Sequence, residues 1–195
     1  MIIRQQILQT RKHLSQDFQS FAALKVMDQM LTLVEYQNAQ NIALYLAIKG
    51  ELNTLPILKK SWELNKKCYL PRINIDNKML SFILYERHNA LIKNEYGLFE
   101  PLRNDKNRIE MTAIDLVITP LVAFDIAGNR LGMGGGFYDR NFSFKKNNKK
   151  HKPYLFGVAY EFQKIQSITT NPWDITLDCV ITEEQIYSFN ESIKS

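Results

Sequence analysis

The chain has 195 residues, 45% hydrophobic and 23% charged, with a formal charge of +5 and a pI near 9.1. That is an ordinary globular composition, long enough to bury a core without disulfides or metals, and no stretch approaches the ~20 apolar residues of a membrane span. The mild basic excess suits an anionic partner without choosing between nucleic acid, a membrane surface and a polyanionic small molecule.

The opening Met-Ile-Ile-Arg has no apolar run of the signal-peptide kind. Cys68 and Cys179 fall in no CxxC pair and beside no His/Cys cluster, so they read as reduced structural thiols of a cytoplasmic protein. Residues 2–14 read as a short basic helix. Residues 16–38 continue with apolar positions Phe18, Phe21, Ala22, Leu24, Val26, Met27, Met30, Leu31 and Val34 at amphipathic helical spacing. Residues 41–47 form a compact apolar run, the pattern of a buried strand, followed by a turn at Lys49-Gly50. Asn53 or Thr54 can cap a helix over 55–65, with Pro56 in its first turn. Short strands are predicted at 68–70, stopped by Pro71, and at 79–84; residues 86–112 look polar and irregular. A buried strand at 116–118 ends at Pro120, a helix begins near Phe137, and the last strands lie at 154–159 and 179–182. Strands alternating with helices predict one α/β domain over 1–195, a mostly parallel sheet flanked by helices. The basic run from Lys145 to Lys152 reads as a solvated loop.

Chemistry concentrates between Arg130 and Asp139. Four of the chain's eight glycines, Gly132, Gly134, Gly135 and Gly136, fall within five residues. Glycine costs backbone entropy, so such a cluster needs a reason. It follows a buried strand and leads into a helix, the edge of an open α/β sheet where ligands bind. Bare N–H groups there make an anion site, Arg130 is a bidentate phosphate donor, and Asp139 is an oxygen ligand suited to Mg²⁺. Together they suggest a metal-bound polyphosphate; the alternative is a tight turn for close packing. The loop lacks GK[ST] and does not fit GxGxxG.

Phe124-Asp125, Gly128, Arg130-Leu131-Gly132, Gly134 and Gly136-Phe137-Tyr138-Asp139 resemble the signature of the 5-formyltetrahydrofolate cyclo-ligase family. Arg4 with Arg11-Lys12-x-Leu14-Ser15, Gly50-Glu51-Leu52-Asn53-Thr54 and Leu70-Pro71-Arg72 fall in that family's order. So do Asn94-x-Tyr96-Gly97 with Glu100-Pro101, Pro172-Trp173-Asp174, and Leu177-Asp178 with Val180. The resemblance implies a NagB/RpiA-like fold. It implies closure of 5-formyltetrahydrofolate to 5,10-methenyltetrahydrofolate with ATP and Mg²⁺, giving ADP and phosphate. It places ATP on Arg4, Arg11, Lys12 and the stretch Arg130, Leu131, Gly132, Met133, Gly134, Gly135, Gly136, Phe137 and Tyr138, with Arg130 and Tyr138 catalytic. It places the folate at Glu51, Asn53 and Met133 to Phe137, and the metal at Asp139 and Asp178. Many members carry Lys where this chain has Gly135, so another cation, Arg130 or Lys12, or Mg²⁺ itself, must serve the γ-phosphate.

Read by themselves, several of these residues stay open. Glu51 either bonds pterin nitrogens or complements a helix dipole. Asn53 is a cap as readily as a ligand, Tyr138 stacks or packs, and Arg4 and Arg11 reach ATP or face solvent. Asp178 alone reads as a boundary residue and Trp173 as a core anchor; Phe124 and Asp125 build a turn. No role falls to His13, His88 or His151. An RNA-binding module lacks the expected aromatic pattern, and a sugar-phosphate kinase or isomerase is the third class. The expected partners are the folate and ATP, with no membrane or nucleic acid and a monomeric chain.

Overall fold

The computed structural model describes residues 2–147 and 152–193. Helix α1 spans Ile2–Lys12, α2 Gln16–Thr32 and α3 Val34–Asn38. Ser15 caps α2 by accepting from the Phe18 amide at 3.2 Å. The single helix expected over 16–38 is two, because Leu33 turns extended (ψ 127°) and buries its side chain completely. Phe21, Leu24 and Val34, expected on the apolar face, are about half exposed, and the buried stripe is Ala22, Ala23, Val26 and Met30.

Strand β1 is Asn41–Ala43 and α4 is Leu55–Glu63; β2, Lys67–Asn74, and β3, Met79–Leu84, follow. The expected stop at Pro71 is absent. β1 pairs β2 only as far as Tyr69, so Pro71 sits where β2 has no ladder partner on that side, a place proline tolerates. The stretch expected to be irregular holds a hairpin, β4 Leu91–Lys93 with β5 Phe99–Pro101, and a short β6, Arg108–Ile109. Then come β7 Leu116–Thr119, the hairpin β8 Ala123–Phe124 with β9 Arg130–Leu131, and α5 Phe137–Asn141. The chain closes with β10 Tyr154–Val158, β11 Cys179–Ile181 and β12 Ile186–Ser188.

Eight strands form one sheet in the order β12-β11-β10-β7-β1-β2-β3-β6. The five central strands, β11 to β2, run parallel; β12, β3 and β6 add antiparallel edges. Alternating side chains feed two cores, as a pleat of period two requires. Ile42, Leu116, Ile118 and Phe156 pack with α2 to α4 on one face, and Ala43, Val117 and Leu155 pack with Phe124, Phe142 and Leu177 on the other. Cys68 in β2 and Cys179 in β11 are buried free thiols. Among the described residues no helix is long and apolar enough to cross a membrane.

Candidate active site

From β1 the chain passes to β2 on one side and later returns to β7 on the other. Such a reversal opens a crevice at the carboxyl ends of two neighbouring parallel strands. The segment after β1 carries Glu51 and Asn53; the segment after β7 carries the glycine loop. The topology thus brings together the two stretches singled out in the sequence.

The first stretch is a tight turn. Lys49 and Gly50 both take positive φ (48° and 74°), and a Cβ on Gly50 would stand 3.0 Å from the Arg11 carbonyl, so glycine seats the turn against α1. Glu51 Oε2 accepts from the Ile48 amide at 3.1 Å. Burial pushes the Glu51 carboxyl above its ordinary range, against that hydrogen bond and the charges of Arg11 and Lys49. Asn53 Oδ1 accepts from the Leu55 amide at 3.0 Å, the helix-entry role, which leaves its amide group for a ligand.

The second stretch is set by its hairpin. Asp125, 3% exposed, ties the turn as expected: Oδ1 accepts from the amides of Ala127 and Asn129, and Oδ2 from Asn129 Nδ2 and the Ile168 amide. After β9 the loop needs glycine at two positions, Gly134 (φ 102°) and Gly136 (φ 62°). Nothing lies within 4 Å of a Cβ at Gly132 or Gly134, so that side of the loop is open. The expected helix after the loop is only five residues long, so the loop amides rather than a helix dipole supply most of the positive field. Met133, Gly134 and Gly135 are exposed, and Leu131, Gly132, Gly136, Phe137, Tyr138 and Asp139 are half-buried.

The remaining residues divide. Arg4 reaches the loop, its Nε donating to the Gly132 carbonyl at 3.0 Å. Lys12 is exposed at the end of α1. Arg11, expected to reach ATP or solvent, does not face solvent: it is 2% exposed and donates through Nη2 to the Leu121 carbonyl, with Nε unpaired. Its charge faces Glu51, Tyr45 and Tyr160 instead. Arg130 has a side chain only 6% exposed; Nη2 donates to Asp139 Oδ1 at 2.6 Å and Nη1 to the Ile175 carbonyl. The Ile175 amide donates to the same Asp139 oxygen, and Asp139 Oδ2 takes no hydrogen bond among the described residues. Burial raises the Tyr138 phenol well above its ordinary value, the Glu51 charge adds to this and Arg130 opposes it. Glu51, Tyr138 and Arg130 therefore share one electrostatic neighbourhood.

Asp178 is placed differently from the metal ligand expected of it. It is 4% exposed; Oδ2 accepts from Lys145 Nζ at 3.0 Å and from the Leu155 amide at 2.7 Å, and Oδ1 from Asn190 Nδ2 at 2.9 Å. A metal there would have to displace the Lys145 ammonium. Lys145, expected in a solvated loop, is buried in this ion pair; Lys149, Lys150 and His151 of the same run lie outside the described residues. Trp173 is no core anchor: it is 66% exposed. With Pro172, Met79, Gly136, Asp139, Arg140, Ser143 and Lys146 it lines a cleft of about 610 Å³ beside the loop. Arg140 and Lys146 were not marked out by sequence; the one signal for Arg140 is its place directly after Asp139.

Residues 1–183 match the model of the 5-formyltetrahydrofolate cyclo-ligase family. The chain belongs to that family. It is 38% identical to the 5-formyltetrahydrofolate cyclo-ligase of Haemophilus influenzae over 90% of this chain and 92% of that one. It is 32% identical to the Escherichia coli K12 enzyme of the same name over 94% and 100%. Its fold superposes on the NMR structure of Aquifex aeolicus 5,10-methenyltetrahydrofolate synthetase with a TM-score of 0.80 at 29% identity, covering 97% of this chain and 92% of that one. For the Mycoplasma pneumoniae 5,10-methenyltetrahydrofolate synthetase the TM-score is 0.72 at 28% identity, with 93% and 97% covered. The family is one of ligases, and its reaction is the closure of 5-formyltetrahydrofolate to 5,10-methenyltetrahydrofolate.

Proposed function

We propose that the protein drives this closure with ATP and Mg²⁺. The observation that carries the reading is the meeting, at the β1/β7 crevice, of the half-buried Glu51 carboxylate and an open glycine loop that ends on Asp139. Glu51 and the leftover amide of Asn53 bind the pterin. The loop amides of Met133 to Gly136, with Arg4 behind them, bind the phosphates.

The formyl oxygen is a poor leaving group. Transfer of the γ-phosphoryl group to it releases ADP and makes it a phosphate ester. N10 then adds to the formyl carbon and loses its proton, and the carbon–oxygen bond breaks with phosphate departing. The protein's work is positioning and charge neutralisation. Mg²⁺ commonly rests on one or two carboxylates plus phosphate oxygens and water. Asp139, with one oxygen uncommitted, fits that pattern. Bound Mg²⁺ would offset charge on the phosphates. Tyr138, whose raised pKa keeps it protonated, is a hydrogen-bond donor at neutral pH. The buried thiols suit a reducing compartment such as the cytoplasm.

The test is formation of the methenyl chromophore from 5-formyltetrahydrofolate. The reading requires it to depend on both ATP and Mg²⁺; absence of the chromophore, or its appearance without ATP, sinks it.

A further inference from the structure

The loop's own arginine is not free to serve a phosphate. Arg130 is enclosed, with Nη1 on the Ile175 carbonyl and Nη2 on Asp139. Lys12 makes no hydrogen bond or ion pair to the loop among the described residues. Arg140 is placed to do so. Its Nε and Nη2 donate to the Lys78 carbonyl at 3.1 and 3.0 Å, and Nη2 also donates to the Gly135 carbonyl at 2.6 Å. The guanidinium lies 5.4 Å from the centroid of the Phe137 ring. These contacts fix its plane, so little side-chain entropy remains to be lost on binding. Nη1 has no partner among the described residues, and it stands 2.8 Å from the point a Cβ on Gly136 would occupy. The bare Gly136 thus lets a cation settle directly on the loop, at the wall of the cleft that also holds Lys146 and Trp173.

We propose that Arg140 is the phosphate-binding cation of this loop, contacting the terminal phosphates of the nucleoside triphosphate through Nη1. This rests on the reading that ATP occupies the loop. Gly135 bears on it as well. A Cβ there would come within 2.7 Å of the Phe137 ring, the ring that carries the Arg140 guanidinium. A side chain at 135 would therefore have to displace that ring, and with it the seat of Arg140.

The experiment measures binding of ATP and of inorganic tripolyphosphate by calorimetry, and KM for each substrate. Arg140→Gln, which keeps a hydrogen-bond donor but no charge, should weaken both ligands by roughly 10- to 100-fold. It should raise KM for ATP and leave KM for 5-formyltetrahydrofolate unchanged. Arg140→Lys, which keeps the positive charge, should retain more of the tripolyphosphate affinity than Arg140→Gln. If Arg140→Gln binds both ligands like the parent, Arg140 is not the cation and the ATP reading stands. A parent that binds neither ATP nor tripolyphosphate sinks the ATP reading and this proposal with it.

Discussion

Asp139 and Arg130 hold each other at 2.6 Å in a nearly enclosed contact. Asp139→Asn keeps an acceptor for Arg130 but weakens any hold on Mg²⁺. Turnover should fall below detection at every Mg²⁺ concentration, with a stability loss of about 1–3 kcal/mol by denaturant titration. Normal turnover at limiting Mg²⁺ would remove Asp139 from the site. Glu51 gives a pH test. Its carboxyl is raised by burial, so it takes up its proton above the ordinary carboxylate range as pH falls. If the carboxylate binds the pterin, kcat/KM for the folate drops on the acid side within that raised range, and Glu51→Gln removes the acid limb along with most of the affinity. A raised carboxyl pKa also means the folded state holds the proton more tightly than the unfolded one. Stability therefore falls as pH climbs from the ordinary value through the raised one, and the penalty is complete above the raised value. Glu51→Gln should be at least as stable as the parent there; a clear loss in Tm would mean the side chain is structural. At this scale the sequence was informative for residue type and silent on partners. Nothing in the spelling of residues 145–152 shows that Lys145 meets Asp178, or that Arg11 turns inward beneath Gly50, because both depend on contacts far along the chain.

The glycine loop was legible because a composition so costly in backbone entropy announces itself. The hairpin before it was not, because strands of two residues, β8 and β9, are too short to show a period of two. The loop's demands are unequal. Gly134→Val forces a branched side chain into φ 102° and places it on the open side, so it should cost about 1–3 kcal/mol and raise KM for ATP steeply. Gly132→Ala, at an ordinary φ with no neighbour within 4 Å, should leave stability within about 0.5 kcal/mol of the parent. If the two variants bind ATP equally well, the loop is a packing turn. The segment from Ser143 to Asn147 has its own anchor in the Lys145–Asp178 pair. Lys145→Met strands a buried carboxylate and should cost about 3–5 kcal/mol, whereas Lys146→Gln, one residue on and exposed, should be nearly neutral. Equal Tm values for those two variants would contradict the ion pair.

Alternation of apolar strands with amphipathic helices was enough to foresee the parallel centre of the sheet. The antiparallel edges were not foreseeable, since β3, β6 and β12 carry no mark of which neighbour they join. All eight strands share one ladder, so chemical unfolding followed by circular dichroism and by tryptophan fluorescence should give coincident single transitions; separated midpoints would divide the chain into two units. The strand order also has a bearing on chemical labelling. Cys68 and Cys179 are separated by the strands β1, β7 and β10, four ladder steps or roughly 19 Å, far beyond the ~7 Å limit for a disulfide. Burial raises both thiols, Cys68 to about 12, so neither offers a thiolate to an alkylating reagent at neutral pH. The folded protein is therefore a silent background for thiol chemistry. Met133→Cys, on the exposed rim of the glycine loop, would give it a single reactive handle, and a fluorophore attached there would report on whatever enters the crevice.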